Sequence, residues 1–161
     1  MTGTEEQASG FVDVGDGVTV PAEITGTEHL DGATVRLRAV YRPDTGRYAV
    51  VELTVEADEV TGELIRSVPV ASLLTKWALR FIGPGAVERP PADLVQTGPT
   101  DETLRWVARA YRVALLVGAA PTQAVAETFD VARGTAGRWV TRSRDRGFLT
   151  VTDPRGAKGR R

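Results

Sequence analysis

Along this chain of 161 residues the spacing of apolar side chains changes once, near Thr61, and that change sets the class of fold. Before it, apolar positions recur every second residue, the period of a strand with one dry face. After it they recur every third or fourth, the period of a helix with one dry stripe. Strands gathered in the first part and helices in the rest predict an α+β architecture: a small antiparallel sheet with a packed helix, followed by a helical unit.

The strands are read from alternation. Val35, Leu37, Ala39 and Tyr41 alternate with Thr34, Arg36, Arg38 and Val40, so 34–41 is a half-buried strand. Arg42-Pro43-Asp44-Thr45-Gly46 is a turn, with proline early and glycine late. In the partner strand, 47–57, Ala49, Val51, Leu53, Val55 and Ala57 are expected on the dry face and Glu52, Thr54 and Glu56 on the wet one. Upstream, Phe11–Val14 and Val18–Val20 flank Gly15-Asp16-Gly17, which suits a short hairpin. Residues 1–10, polar and acidic, are predicted to be a disordered tail.

The helices are read from their caps and stripes. Thr61 caps a short turn over Gly62–Ser67, and Pro69 suits the first turn of a longer helix. In that helix Val70, Leu73, Leu74, Trp77 and Phe81 form one apolar stripe, fit to lie on the hairpin's dry face. Residues 83–99 hold four prolines and three glycines, and read as a linker. Thr100 then caps a helix running to about Val117, with Leu104, Val107, Ala108, Tyr111, Ala114 and Leu115 inward and Gly118 at its end. The predicted division is therefore a tail (1–10), an α+β unit for dimerisation or a partner (11–82), a linker (83–99), a helical domain (100–152) and a basic tail (153–161).

Charge follows the same division. Residues 1–100 carry 8 basic and 15 acidic groups, whereas residues 131–161 carry 9 basic and 2 acidic, beneath a formal net charge of only -1. The C-terminal part attracts a polyanion and the N-terminal part repels one. Arginine outnumbers lysine 18 to 2, and its planar fork is the side chain best matched to phosphate and to base edges.

The stretch 122–141, TQAVAETFDVARGTAGRWVT, has the pattern of two short helices crossing at a wide angle. Val125 and Phe129 point inward from the first helix, and Ala126 is small where the helices meet. Val131 fills the turn, and Ala136 and Trp139 point inward from the second helix. Asp130 stands where such turns usually carry glycine, and it tolerates the left-handed backbone better than most residues. Ala132 occupies a position where a capping side chain is commoner, and Gly134 and Gly137 each weaken the second helix by roughly 1 kcal/mol.

On these residues, about 103–152 resembles the tri-helical helix-turn-helix of bacterial transcriptional regulators and recombinase C-terminal domains. More narrowly, it resembles segments of actinobacterial and phage proteins with a PT-x-AVAE opening and an RWV-x-R-x-R-x-RG close. Phe148–Thr152 reads as a short strand, which would make the domain a winged helix-turn-helix, the wing opening at Asp153-Pro154-Arg155-Gly156. Residues 11–82 carry no such resemblance.

The resemblance implies that the second helix enters the major groove of double-stranded DNA. Arg133, Gly134, Gly137, Arg138 and Thr141 are then the expected base contacts. Gln123, Thr135, Arg142, Arg144, Arg146, Arg155 and Lys158 are the expected phosphate contacts. The predicted function is a sequence-specific DNA-binding protein, a regulator of transcription acting as a homodimer through residues 11–82. The alternative is a non-enzymatic accessory protein of phage, plasmid or transcription machinery that docks on another protein through the same motif.

Composition narrows the remaining classes. The chain has no cysteine and one histidine, His29, so disulfides, thiolate chemistry and multi-histidine metal sites are excluded. No apolar run approaches the ~20 residues of a membrane span. No secretion signal is visible in the acidic start, so a cytoplasmic protein is expected. Asp44, Glu52, Glu56, Asp58 and Glu59 were weighed as a nuclease site, but their alternation is that of a wet sheet face. The arginine cluster of a recombinase and the glycine loop of a nucleotide site are lacking. No enzyme activity and no cofactor are predicted.

Overall fold

The computed structural model describes residues 5–82 and 88–151. Four strands, β1 (Glu5–Asp13), β2 (Thr19–Leu30), β3 (Ala33–Arg42) and β4 (Arg47–Glu56), form an antiparallel sheet in the order β1-β2-β3-β4. Six helices follow: α1 (Gly62–Ser67), α2 (Val70–Phe81), α3 (Ala92–Gln96), α4 (Asp101–Leu116), α5 (Pro121–Phe129) and α6 (Arg133–Asp145). The class is α+β.

The sheet is larger than its periodicity announces. Residues 5–10, expected to be disordered, pair with β2 from Glu5 opposite Thr27 to Ser9 opposite Glu23; residues 1–4 lie outside the described residues. The edge strand is held by more than its ladder, because the Glu6 carboxylate accepts from Arg80 of α2 at 2.6 Å. β2 continues to Leu30, well past the expected Val20, although it contains Pro21 and Gly26. Both residues depress strand propensity, and both have tertiary roles. The Pro21 carbonyl accepts the buried Tyr48 hydroxyl at 2.8 Å. Gly26 lies directly beneath the Trp77 ring, where a Cβ would come within 2.7 Å of the indole carbons.

β4 also corrects a face. Ala39 pairs with Val50 and Arg38 with Glu52, so Val51 is an extra residue in a bulge. A bulge reverses the alternation beyond it. Tyr48, Val50, Leu53 and Val55 lie opposite the buried Tyr41, Ala39, Leu37 and Val35, so these four share the packing face. Ala49 lies opposite Val40 on the other face, and Val51 is the bulged residue, so neither belongs to the regular dry set.

α2 crosses the sheet as its stripe predicts. Trp77 and Leu73 are buried, while Val70, Leu74 and Phe81 pack half-buried on the same cluster. The Lys76 ammonium donates to Glu28 at 2.8 Å beside the crossing. The expected linker contains a helical turn, α3, whose Leu94 is buried and whose Leu94 carbonyl accepts from Thr97 and Thr103; residues 83–87 lie outside the description.

α4 joins the two cores. Leu104, Val107, Ala108, Tyr111 and Leu115 belong to a cluster shared with α5 and α6, whereas Leu116 belongs to the sheet cluster. Arg112 is the polar counterpart of this bridge, donating both to Asp16 in the β1–β2 turn and to the Phe148 carbonyl after α6. Thr75 of α2 also donates to the Val117 carbonyl at 2.8 Å. No strand forms over 148–151. Phe148 and Leu149 instead donate their backbone N–H groups to the Ser143 carbonyl, and Leu149 is buried in the helical core, so the described part of this segment closes α6. Residue 152 and the basic tail 153–161 lie outside the described residues.

Candidate nucleic-acid interface

The site rests on three helices, each packed against the other two. Thr100 accepts from the Thr103 backbone N–H at 3.2 Å and starts α4 as its hydroxyl predicts, with Asp101 and Glu102 in the first turn. α5 and α6 are joined by Asp130, Val131 and Ala132 alone. Asp130 takes the left-handed conformation, φ 50° and ψ 48°, expected of the position where glycine is usual. Val131 donates back to the Ala126 carbonyl at 3.0 Å, which reverses the chain within one turn. Ala132 precedes α6 with no side-chain cap, leaving the helix start to Thr135 and Ala136, whose N–H groups reach the Ala132 carbonyl.

The five side chains required to face inward do so. Val125, Ala126, Phe129, Ala136 and Trp139 are buried, and Val131 is half-buried against them. Phe129 meets Trp139 edge to face, with ring centres 5.5 Å apart, the favourable arrangement for two aromatic quadrupoles. Ser143, fully buried, donates to the Leu104 carbonyl at 3.0 Å and ties α6 to α4.

This inward set leaves one outward face on α6. Arg133, Gly134, Arg138, Thr141 and Arg142 are exposed, and Thr135 and Gly137 are half-exposed. Arg138 donates to the Thr135 hydroxyl at 3.0 Å, one turn back along the helix. The Thr141 hydroxyl donates to the Gly137 carbonyl at 3.1 Å. A Cβ at Gly134 or Gly137 would meet nothing within 4 Å, so neither glycine is required by packing. An exposed glycine that costs helix stability and meets no neighbour leaves the backbone open to close approach from outside.

The remaining expected contacts divide. Gln123 lies exposed on α5 and donates to Glu127 at 2.9 Å. Arg146 is exposed and paired with Asp101 of α4 at 2.8 Å. Arg144 lies elsewhere: its guanidinium sits over the Tyr111 ring, 5.0 Å from its centre, and donates to the Tyr111 hydroxyl at 2.8 Å. It is half-buried within the fold, which removes it from the outward set. Arg155 and Lys158 lie outside the described residues.

Three further arginines, which fall in neither of the two stretches whose charges are counted above, lie on α4. Arg105 sits over the Phe148 ring and Arg109 over the Trp106 ring, while Arg112 makes the bridge to Asp16. Their spacing of four and then three residues marks one helical face, a signal present in the sequence.

Of the acidic residues weighed for a nuclease, Glu52 and Glu56 are spent on sheet pairing. Glu52 accepts from Arg38 and Glu56 from Arg36, both basic partners one strand away that alternation along a single strand does not reveal. His29 is exposed, its Nδ1 3.1 Å from the Thr34 hydroxyl. Among the described residues, no group of three potential metal ligands converges, and no helix is long and apolar enough to cross a membrane. Comparison with protein-family models, with curated proteins and with solved structures finds no match to this chain.

Proposed function

We propose that the protein is a sequence-specific double-stranded DNA-binding protein, a non-catalytic regulator of transcription, and that α5, the 130–132 turn and α6 act as a helix-turn-helix. The observation that carries this reading is the outward face of α6. Arg133, Arg138 and Arg142 stand exposed across the outward half of the helix, with Gly134 and Gly137 open between Arg133 and Arg138, while its other half is locked into α4 and α5. In this reading α6 lies in the major groove, with Arg133 and Arg138 on base edges and Arg142 and Arg146 toward phosphates. The acidic N-terminal unit, with its strongly negative balance, faces away from DNA and supplies the dimer contact that a motif with few base contacts needs.

The test is selection of bound duplexes from a random pool with the full-length protein. Arg133→Ala and Arg138→Ala are expected to change the selected sequence. Arg142→Ala is expected to lower affinity for all sequences and to reduce the slope of log affinity against log salt by about 1. Association with a protein target that is insensitive to salt, with no enrichment of any duplex, supports the accessory-factor reading instead.

A further inference from the structure

We infer that two copies of this chain pair along β4, antiparallel about a two-fold axis between Val51 and Glu52, to make one continuous sheet. The inference deepens the dimer element of the proposed function, but it stands on the sheet alone and is tested without DNA.

Three observations carry it. The first is where exposed apolar side chains collect. Of seven large hydrophobic residues left exposed among the described residues, Val50, Val51, Leu53, Val60 and Ile65 fall within sixteen residues of one another, on β4 and the segment just after it. α1, in that segment, contains no buried residue. Scattered exposed apolar residues are ordinary, but a concentrated set on a sheet edge marks a contact surface.

The second is the contrast between the two edges. β1 carries Glu5 and Asp13 with no basic residue, its Glu6 being taken by Arg80, and Gly10 at positive φ interrupts it, so it is poorly suited to pairing with a copy of itself. β4, RYAVVELTVE, has no proline and no lysine, and it holds an arginine at its start and a glutamate at its end. Antiparallel pairing of two such strands places Arg47 across from Glu56, whose carboxylate is already held by Arg36 of its own chain at 2.6 Å.

The third is the bulge. Directly opposed residues in an antiparallel pair must point to the same face. In a regular ten-residue strand the fully overlapped register pairs each residue with one of the opposite face, and is forbidden. The extra residue at Val51 reverses the alternation at mid-strand and makes that register allowed. Tyr48 then opposes Val55 of the second copy and Val50 opposes Leu53, all on the packing face. Arg47 opposes Glu56 and Ala49 opposes Thr54, all on the wet face. This one register uses the whole strand. Pairing β4 with β1 of another copy would be heterologous and would propagate, whereas the two-fold arrangement closes.

The experiment uses the full chain, which has no cysteine of its own. Sedimentation at micromolar concentration without DNA is expected to give the mass of two chains. Leu53→Lys, checked for folding by circular dichroism, is expected to give one. Val50→Cys combined with Leu53→Cys is expected to form a disulfide-linked pair of chains on mild oxidation, while either alone is not. Within one chain these positions are three residues apart on a strand, roughly 10 Å, too far for a disulfide. A monomeric wild type, or a dimer that the double cysteine variant fails to cross-link, overturns the inference and leaves the DNA reading to its own test.

Discussion

Gly134 and Gly137 separate a structural from a binding account of α6 at the scale of a residue. Neither is demanded by packing, so Gly→Ala at either is expected to stabilise the free protein by about 0.5–1 kcal/mol, read by denaturant unfolding. The same substitutions are expected to weaken duplex binding, because each puts a methyl group on the surface proposed to meet the groove. Unchanged affinity in a more stable protein would remove these glycines from the site. Gly26 is the opposite case. A methyl group there collides with the rigid Trp77 ring, so Gly26→Ala is expected to lower stability by about 1–3 kcal/mol without touching the binding face. The dual character of glycine explains why neither role is legible from composition: the residue type reports freedom of the backbone, not what comes near it.

At the scale of an element, what the sequence displays is whatever depends on one segment alone. The capping hydroxyls of Thr61 and Thr100, the α2 stripe and the inward set of α4 to α6 are periodic or local, and all are where their spacing places them. What it hides depends on a second segment. β1 is a strand because β2 pairs with it and Arg80 holds Glu6, not because EEQASG favours extension. The face of β4 is set by a bulge that only its pairing with β3 reveals, and Arg144 leaves the outward set because Tyr111 of α4 captures it. Tyr48 shows the energetic side of such a contact. Burial, and secondarily the neighbouring Tyr41, push its hydroxyl well above the ordinary tyrosine range. The unfolded chain therefore loses that proton near pH 10 while the folded chain keeps it, so stability falls as pH rises above about 10. Tyr48→Phe is expected to flatten this alkaline loss, at a cost of about 1 kcal/mol at neutral pH from the hydrogen bond to Pro21. An alkaline unfolding profile identical to wild type would contradict that assignment.

At the scale of the whole molecule, α4 and Arg112 join an acidic sheet to a basic helical end. Arg112 contacts the β1–β2 turn and the residue that closes α6, so Arg112→Ala is expected to destabilise the protein by about 1–3 kcal/mol and to loosen α6 relative to the sheet, read as faster hydrogen exchange near Phe148. Charge division was visible in the residue counts, but which arginines are structural and which face outward depends on their neighbours in three dimensions. Arg105, Arg109, Arg112 and Arg144 stack or pair within the fold, and Arg133, Arg138 and Arg142 stand on the outward ridge. The most direct measurement of the central claim is selection of duplexes by the full-length protein, repeated with Arg133→Ala and Arg138→Ala. The account predicts one enriched sequence for the wild type and a different or relaxed one for each variant. Enrichment of no sequence, or of the same sequence by all three proteins, would contradict it.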